Sequence, residues 1–168
     1  MPKKVLVAYA TTNGSTARIA DAIAEVLHKN GLTAEALSAR SVASLDSYDA
    51  VVLGGGLYAG RWHRDARRFV RRHHRALAER PLWLFSSGPL DATASERDIP
   101  PVRGVRRTMD RLGAEEHRTF GGCLEEGAKG FVARKIVSSG KGGDFRDFPQ
   151  IEKWAAGIAS ELTRARHG

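Results

Sequence analysis

The hexapeptide Thr11-Thr12-Asn13-Gly14-Ser15-Thr16 gathers four hydroxyls, one side-chain amide and a glycine in a stretch without charge. It follows the apolar run Lys4–Ala10 (KVLVAYA) and precedes Ile19, Ala20, Ile23, Ala24, Val26 and Leu27, which keep a helical period. Strand, loop and helix in that order bring the hydroxyls, the Asn13 amide and the first free N–H groups of the helix to one point. The helix dipole favours an anion there. Neutral donors alone suit a tightly held monophosphate. A triphosphate site of the G-x-x-x-x-G-K-[ST] kind needs a lysine and a magnesium-binding hydroxyl, and the loop has no such lysine. Ser15 or Thr16 is the expected helix cap and Asn30-Gly31 the expected end.

Other spacings narrow the chemistry. Gly54-Gly55-Gly56-Leu57-Tyr58-Ala59 fits G-x-G-x-x-A, but it follows an internal strand, and the next strand runs into Ser86-Ser87 where a dinucleotide site needs a ribose-binding acid. A phospho-acceptor domain needs acids at the ends of the first and third strands, where this chain reads YATT and VLGGG. The one cysteine, Cys123, forms no internal disulfide and offers no zinc framework; it reads as a small buried residue ending the fifth strand. His63 is a lone loop histidine and the one candidate proton donor.

The elements that position these loops alternate. Thr33–Leu37 and Ala50–Leu53 read as strands, the latter running into the three glycines; Leu82–Phe85 is a fourth strand and Thr119–Leu124 a fifth. Helices are expected over Val102–Leu112 and Gln150–Arg166, with residues 86–101 as a loop. Alternation of this kind builds a parallel sheet covered by helices on both faces, whose ligands bind beyond the carboxyl ends of the strands. The chain has 168 residues, 42% of them hydrophobic, with no internal repeat or linker, and residues 1–168 read as one domain. No apolar run approaches the ~20 residues of a membrane span, and a cytoplasmic protein, at most peripheral to the inner face of the membrane, is expected.

Charge is concentrated. Of a net +8, the stretch from Arg61 to Arg80 carries +6, with eight arginines against Asp65 and Glu79. Arg64, Arg67, Arg68, Arg71, Arg72 and Arg75 recur at helical spacing in a single expected amphipathic helix, opposite Ala66, Phe69, Val70 and Leu77, with Arg64, Arg68, Arg71 and Arg75 as the expected contact residues. Such a face is either plain solvated surface or a dock for an acidic protein or an anionic membrane surface. Nucleic acid is disfavoured, because neither interleaved aromatics nor a helix-turn-helix pattern accompanies it.

The element [ST]-x-[TN]-G-x-T at Thr11–Thr16 resembles the FMN phosphate loop of flavodoxins, and the likeness extends over nearly the whole chain. More narrowly, VLVAYATTNGSTARIADAIA, YDAVVLGGGLYAGRWHRDARRFV and GGCLEEGAKGFVARKIVSSGKGGDFRDF resemble the flavodoxin-like, menaquinone-dependent protoporphyrinogen oxidases of bacterial haem synthesis. The resemblance implies a doubly wound five-stranded parallel sheet of order 2-1-3-4-5. It also implies FMN as cofactor, with the phosphate on Thr11, Thr12, Asn13, Gly14, Ser15 and Thr16. The ring would lie between Gly55–Trp62 and Ser86–Asp91, in contact with Gly56, Leu57, Tyr58, Gly60, Trp62, Ser86, Ser87 and Gly88. Gly60 matches the glycine whose peptide reorients with redox state. Two departures stand out: Ala59 precedes that glycine where flavodoxins usually carry an aromatic, and no aromatic lies between Phe85 and Phe120. Tyr58 and Trp62 are the available substitutes, and one flavin face is left open. The segment Ala128–Ser138 mixes Phe131, Val132, Ile136 and Val137 with cations and reads as a cover of the sheet edge or a contact to a membrane or large substrate.

Carrier flavodoxins crowd acids around the ring, whereas Arg61, His63 and Arg64 border this site. At an effective dielectric of about 20, a cation ~7 Å away is worth ~2.4 kcal/mol before screening, so one arginine raises the flavin's potential by tens of millivolts. The expected function, which the resemblance implies, is an FMN-dependent oxidoreductase of the protoporphyrinogen oxidase type, passing electrons from substrate through FMN to a quinone or other acceptor. The alternative is an electron-transfer module docking on an acidic redox partner through the arginine helix.

Overall fold

A computed structural model describes residues 2–12, 14–88, 98–124, 143–144 and 146–165. The elements are β1 (Lys4–Ala10), α1 (Ser15–Lys29), β2 (Thr33–Ser38), β3 (Ala50–Tyr58), β4 (Arg61–Trp62), α2 (Arg64–Arg72), α3 (His74–Ala78), β5 (Leu82–Ser87), α4 (Arg103–Leu112), β6 (Glu116–Phe120), β7 (Cys123–Leu124), β8 (Gly143–Asp144) and α5 (Phe148–Ala165). The main sheet runs β2-β1-β3-β5-β6, all parallel. Counting the long strands alone, this is the expected 2-1-3-4-5 order. The short β4 is an addition, folding back antiparallel on the end of β3.

β1 shows why the sheet must be covered twice. Val5 and Val7 enter one core with α1 and α5, while Leu6 and Ala8 enter the other with α2, α3 and α4. A strand buried on both faces reads as a continuous apolar run because its period-2 alternation has no polar side. On the first face Ile19, Ile23 and Leu27 of α1 pack near Ile151, Trp154, Ile158 and Leu162 of α5. On the second, Phe69, Val70 and Leu77 close over Val51, Leu53, Leu82 and Leu84, with Val105 and Leu112 beside them. The Trp154 indole donates to the Glu116 carboxylate and ties α5 to the edge strand.

Four expected boundaries are corrected. The three glycines lie inside β3, and Ser86 and Ser87 lie inside β5. The arginine stretch forms two helices, because the chain breaks at His73, which is buried and packs on Phe69 with ring centroids 4.7 Å apart. The fifth long strand spans Glu116–Phe120, and Cys123 belongs to a separate two-stranded β7-β8 ribbon. The side chain of Cys123, residues 89–91 of the second loop and the Ala128–Ser138 segment lie outside the described residues.

The glycines answer to packing. A Cβ on Gly54 would sit 1.9 Å from Phe85 Cζ, and one on Gly55 would sit 2.7 Å from Trp62 Nε1. Aromatic rings from the two layers thus press on adjacent bare positions of the central strand. Gly54→Ala is expected to destabilise the fold by at least about 2 kcal/mol through overpacking. Urea unfolding should show that Phe85→Leu recovers part of the loss in the double variant, whereas additive losses would mean that the contact is not the cause.

Candidate functional site

The loop after β1 is shaped by its own hydrogen bond. The Gly14 N–H donates to Thr11 Oγ1 at 3.1 Å, and Gly14 takes the left-handed conformation (φ 84°) with nothing within 4 Å of a would-be Cβ. Helix α1 then begins at Ser15, capped by no side chain and with no acid in its first turn. The expected Ser15 or Thr16 cap is therefore corrected: Gly14 holds the cap position, and the hydroxyls are left for another partner. Thr16 is fully buried and its Oγ1 has no hydrogen-bond partner. A buried hydroxyl without a partner costs ~1–3 kcal/mol, and here it sits at a 15-residue helix's positive end. This is the arrangement of an anion cradle. Asn13 lies outside the described residues.

The second wall is the β3–β4 hairpin. Leu57 pairs with Trp62 and Tyr58 with Arg61, leaving Ala59 (φ 51°) and Gly60 (φ 74°) as a two-residue turn. Paired positive φ values match the twist of a hairpin, and only Gly60 adopts its value without a side-chain penalty. Tyr58 is 41% exposed, the one large hydrophobic side chain so exposed among the described residues. Its ring lies against Gly56, and its hydroxyl accepts from the Thr12 N–H at 3.1 Å. Trp62 departs from the expectation of a ring contact: it is 4% exposed and its indole packs over Gly55 in the core.

His63 joins the two walls. Its Nδ1 accepts from the Asp65 N–H at 3.0 Å, capping α2, so the neutral ring carries its proton on Nε2. That Nε2 lies 3.1 Å from Thr12 Oγ1, to which it donates. Burial holds the His63 pKa below its ordinary value, helped by Arg64, Arg67 and Arg40 and opposed by Asp65. His63, the expected proton donor, thus has both ring nitrogens engaged, one on the cap of α2 and one on the first loop. The sequence signal for this role is His63-x-Asp65 opening a helix.

On the third side, Ser86 is buried with its hydroxyl 2.9 Å from His117 Nε2, so it serves the core. Ser87 is 4% exposed and its Oγ has no partner. The Gly88 N–H donates to the Phe120 carbonyl, and a Cβ there would sit 3.0 Å from the Leu57 side chain, so β3 and β5 close on each other at the site. Thr11, Thr12, Gly14, Ser15, Thr16, residues 56–60, Ser87 and Gly88 all lie at the carboxyl ends of β1, β3 and β5. The neighbours β2 and β3 on either side of β1 mark the switch point of strand order.

A doubly wound α/β protein whose switch point gathers neutral hydrogen-bonding groups, with the buried Thr16 and Ser87 hydroxyls unpartnered, is the class that fold and site define. The sequence profile of the flavodoxin domain matches residues 6–141, and the chain belongs to the flavodoxin domain family, which implies a flavin cofactor. Protoporphyrinogen IX dehydrogenase [quinone] of Escherichia coli K12 is 27% identical over 106 residues, which cover 62% of this chain and 58% of that protein. A flavodoxin from the domain Archaea superposes with a TM-score of 0.63 at 14% identity, covering 95% of this chain and 99% of the other. Rubredoxin oxygen:oxidoreductase from Desulfovibrio gigas matches at 0.65 and 13%, with 97% of this chain covering 37% of that one. The two structural likenesses concern the fold. Among the described residues no helix is long and apolar enough to cross a membrane.

His117, unremarked in the sequence, is 6% exposed under Ser86, and burial pushes its pKa down to about 4; Arg106 and Arg118 add to the shift and Asp98 opposes it. Between about 4 and the unfolded value near 6.5 the unfolded chain binds the extra proton. Stability present above pH ~6.5 should therefore fall as pH drops toward 4, by up to about 3 kcal/mol from this residue. Urea unfolding across that range should show a steeper pH dependence for the wild type than for His117→Gln.

Proposed function

We propose that this chain is an FMN-dependent oxidoreductase of the protoporphyrinogen IX dehydrogenase kind, passing electrons from a porphyrinogen-type substrate to a quinone. The observation that carries FMN is Thr16 Oγ1, buried and unpartnered at the start of α1. The phosphate would be held by Thr11, Thr12, Asn13, Gly14, Ser15 and Thr16. The ring would be flanked by Gly56, Leu57, Tyr58, Gly60, Ser87 and Gly88, with Tyr58 as the exposed aromatic. FMN, when bound, supplies the two-electron redox chemistry. The protein's own part is placement and field: His63 and Tyr58 fix Thr12, and Arg61 and Arg64 are exposed cations beside the site. The substrate class rests on the Escherichia coli relative.

Thr16→Val tests the cradle with two opposite readouts. Removing an unpartnered buried hydroxyl should leave the FMN-free protein as stable or up to about 1 kcal/mol more stable, while FMN affinity falls about tenfold or more. Flavin absorbance retained after desalting gives the first measure, and equal retention by wild type and variant would sink the assignment of Thr16.

Two measurements test the redox reading. Steady-state oxidation of protoporphyrinogen with a menaquinone analogue should proceed with the FMN-loaded protein; retained flavin without turnover would leave an electron-transfer module. In a reductive titration, Arg61→Gln and Arg64→Gln should each lower the midpoint potential by tens of millivolts at low salt, less at high salt.

A further inference from the structure

Among the described helices, the net positive charge lies on one side of the sheet. Helices α2 and α3 share their apolar core with α4, whose sequence RGVRRTMDRL adds four arginines against one aspartate. Residues 61–80 and 103–112 together carry +9 of a net +8, so everything else in the chain nets −1. On the opposite layer α1 and α5 carry mixed charge, with Glu25 paired to Lys29. Arg64, Arg68, Arg71 and Arg75 on α2 and α3, and Arg103 and Arg107 on α4, are exposed, and none takes part in a salt bridge of the described residues.

The composition of this face selects among anionic partners. No lysine occurs between Lys29 and Lys129, so every cation of the face is an arginine. A diffuse negative surface takes lysine and arginine alike, whereas the planar guanidinium fork is favoured where carboxylates are gripped in pairs. Protein interfaces are likewise enriched in arginine and aromatic residues and poor in lysine. Tyr58, the exposed aromatic, lies at the rim, on the strand that leads through β4 into α2. No other large hydrophobic side chain is comparably exposed among the described residues, so the face has no apolar wedge to sink into lipid.

We propose that the outer face of α2, α3 and α4 is the docking surface for an acidic redox protein, which it orients with its own redox centre toward Tyr58 and the cofactor edge. The redox half rests on the FMN reading above; the docking half does not. A one-sided field of this kind raises the encounter rate as well as the fraction of productive orientations.

The probe is a small acidic [2Fe–2S] ferredoxin. Reduced ferredoxin gives up one electron per molecule, so two are oxidised for each FMN fully reduced, with protons taken from solvent. Stopped-flow mixing with the FMN-loaded protein should give a second-order rate that falls at least tenfold in Arg68→Glu/Arg71→Glu/Arg75→Glu and by a similar factor between 50 and 500 mM salt. Lys29→Glu/Arg164→Glu, which changes the same kind of charge on the opposite layer, should lose less than twofold. Calorimetry of oxidised ferredoxin with the FMN-free protein reads docking alone: binding lost in the triple variant supports the surface even if FMN is not retained. Equal losses in both variants would overturn the proposal. So would unchanged ferredoxin binding in the triple variant while its binding to phosphatidylglycerol vesicles or duplex DNA disappears.

Discussion

The central strand β3 must admit two aromatic rings at neighbouring residues, and the rest of the site follows from how it does so. Phe85 presses on Gly54 from one layer and Trp62 on Gly55 from the other, at distances that leave no room for a Cβ. Phe85 also meets Phe120 and Trp154, with ring centroids 6.0 and 6.2 Å away, which binds β5, β6 and α5 into the same cluster. Burying Trp62 requires the chain to reverse directly after Tyr58. The turn at Ala59-Gly60 then leaves Tyr58 outside and delivers His63 to the start of α2. Core packing in the middle of the sheet thereby sets which aromatic is buried and which is left exposed.

That constraint explains what could and could not be read in the residues. β1, α1 and the parallel order were legible because a doubly buried strand and an amphipathic helix have unmistakable periods. The extension of β3 was not, since three glycines read locally as a turn; their reason lies in Phe85 and Trp62, one of them about thirty residues away. The break at His73 was hidden by arginines whose spacing continues across it, because surface charge keeps its period whether or not the backbone does. β6 was displaced because an edge strand keeps polar residues: Glu116 is exposed and Arg118 half-buried, while His117, Thr119 and Phe120 turn inward. For the site, the phosphate-loop spacing was visible, but the inward turn of Trp62, the capping role of His63 and the Ser86–His117 pair depend on contacts between distant segments.

The two walls of the site are joined by weak, directional bonds. Thr12 alone receives both: its N–H donates to the Tyr58 hydroxyl and its Oγ1 accepts from His63 Nε2. Its amide therefore has a partner already, while Thr16 Oγ1 and Ser87 Oγ have none. A ligand at this point would satisfy the unpartnered hydroxyls and compete for the Thr12 amide. An anion bound there would be coupled to the position of Tyr58 through one peptide, with Tyr58 Oη as the group that would yield or share the Thr12 amide.

Local neutrality and one-sided charge are complementary parts of this design. A dianion held by lysine or arginine would itself screen those cations from the rest of the molecule. Held by hydroxyls and amides, it would leave the arginines of α2, α3 and α4 free to act outward. A field of this kind falls off over a Debye length of ~8–10 Å at ordinary salt, so a ligand at the ends of β1 and β3 would feel chiefly the arginines at the start of α2. The junction is His63, whose pKa burial and neighbouring arginines hold below its ordinary value against the pull of Asp65. A protonated His63 would lose Nδ1 as the acceptor that caps α2 and would add a cation against Thr12. The neutral ring therefore preserves both the helix start and the geometry of the first loop.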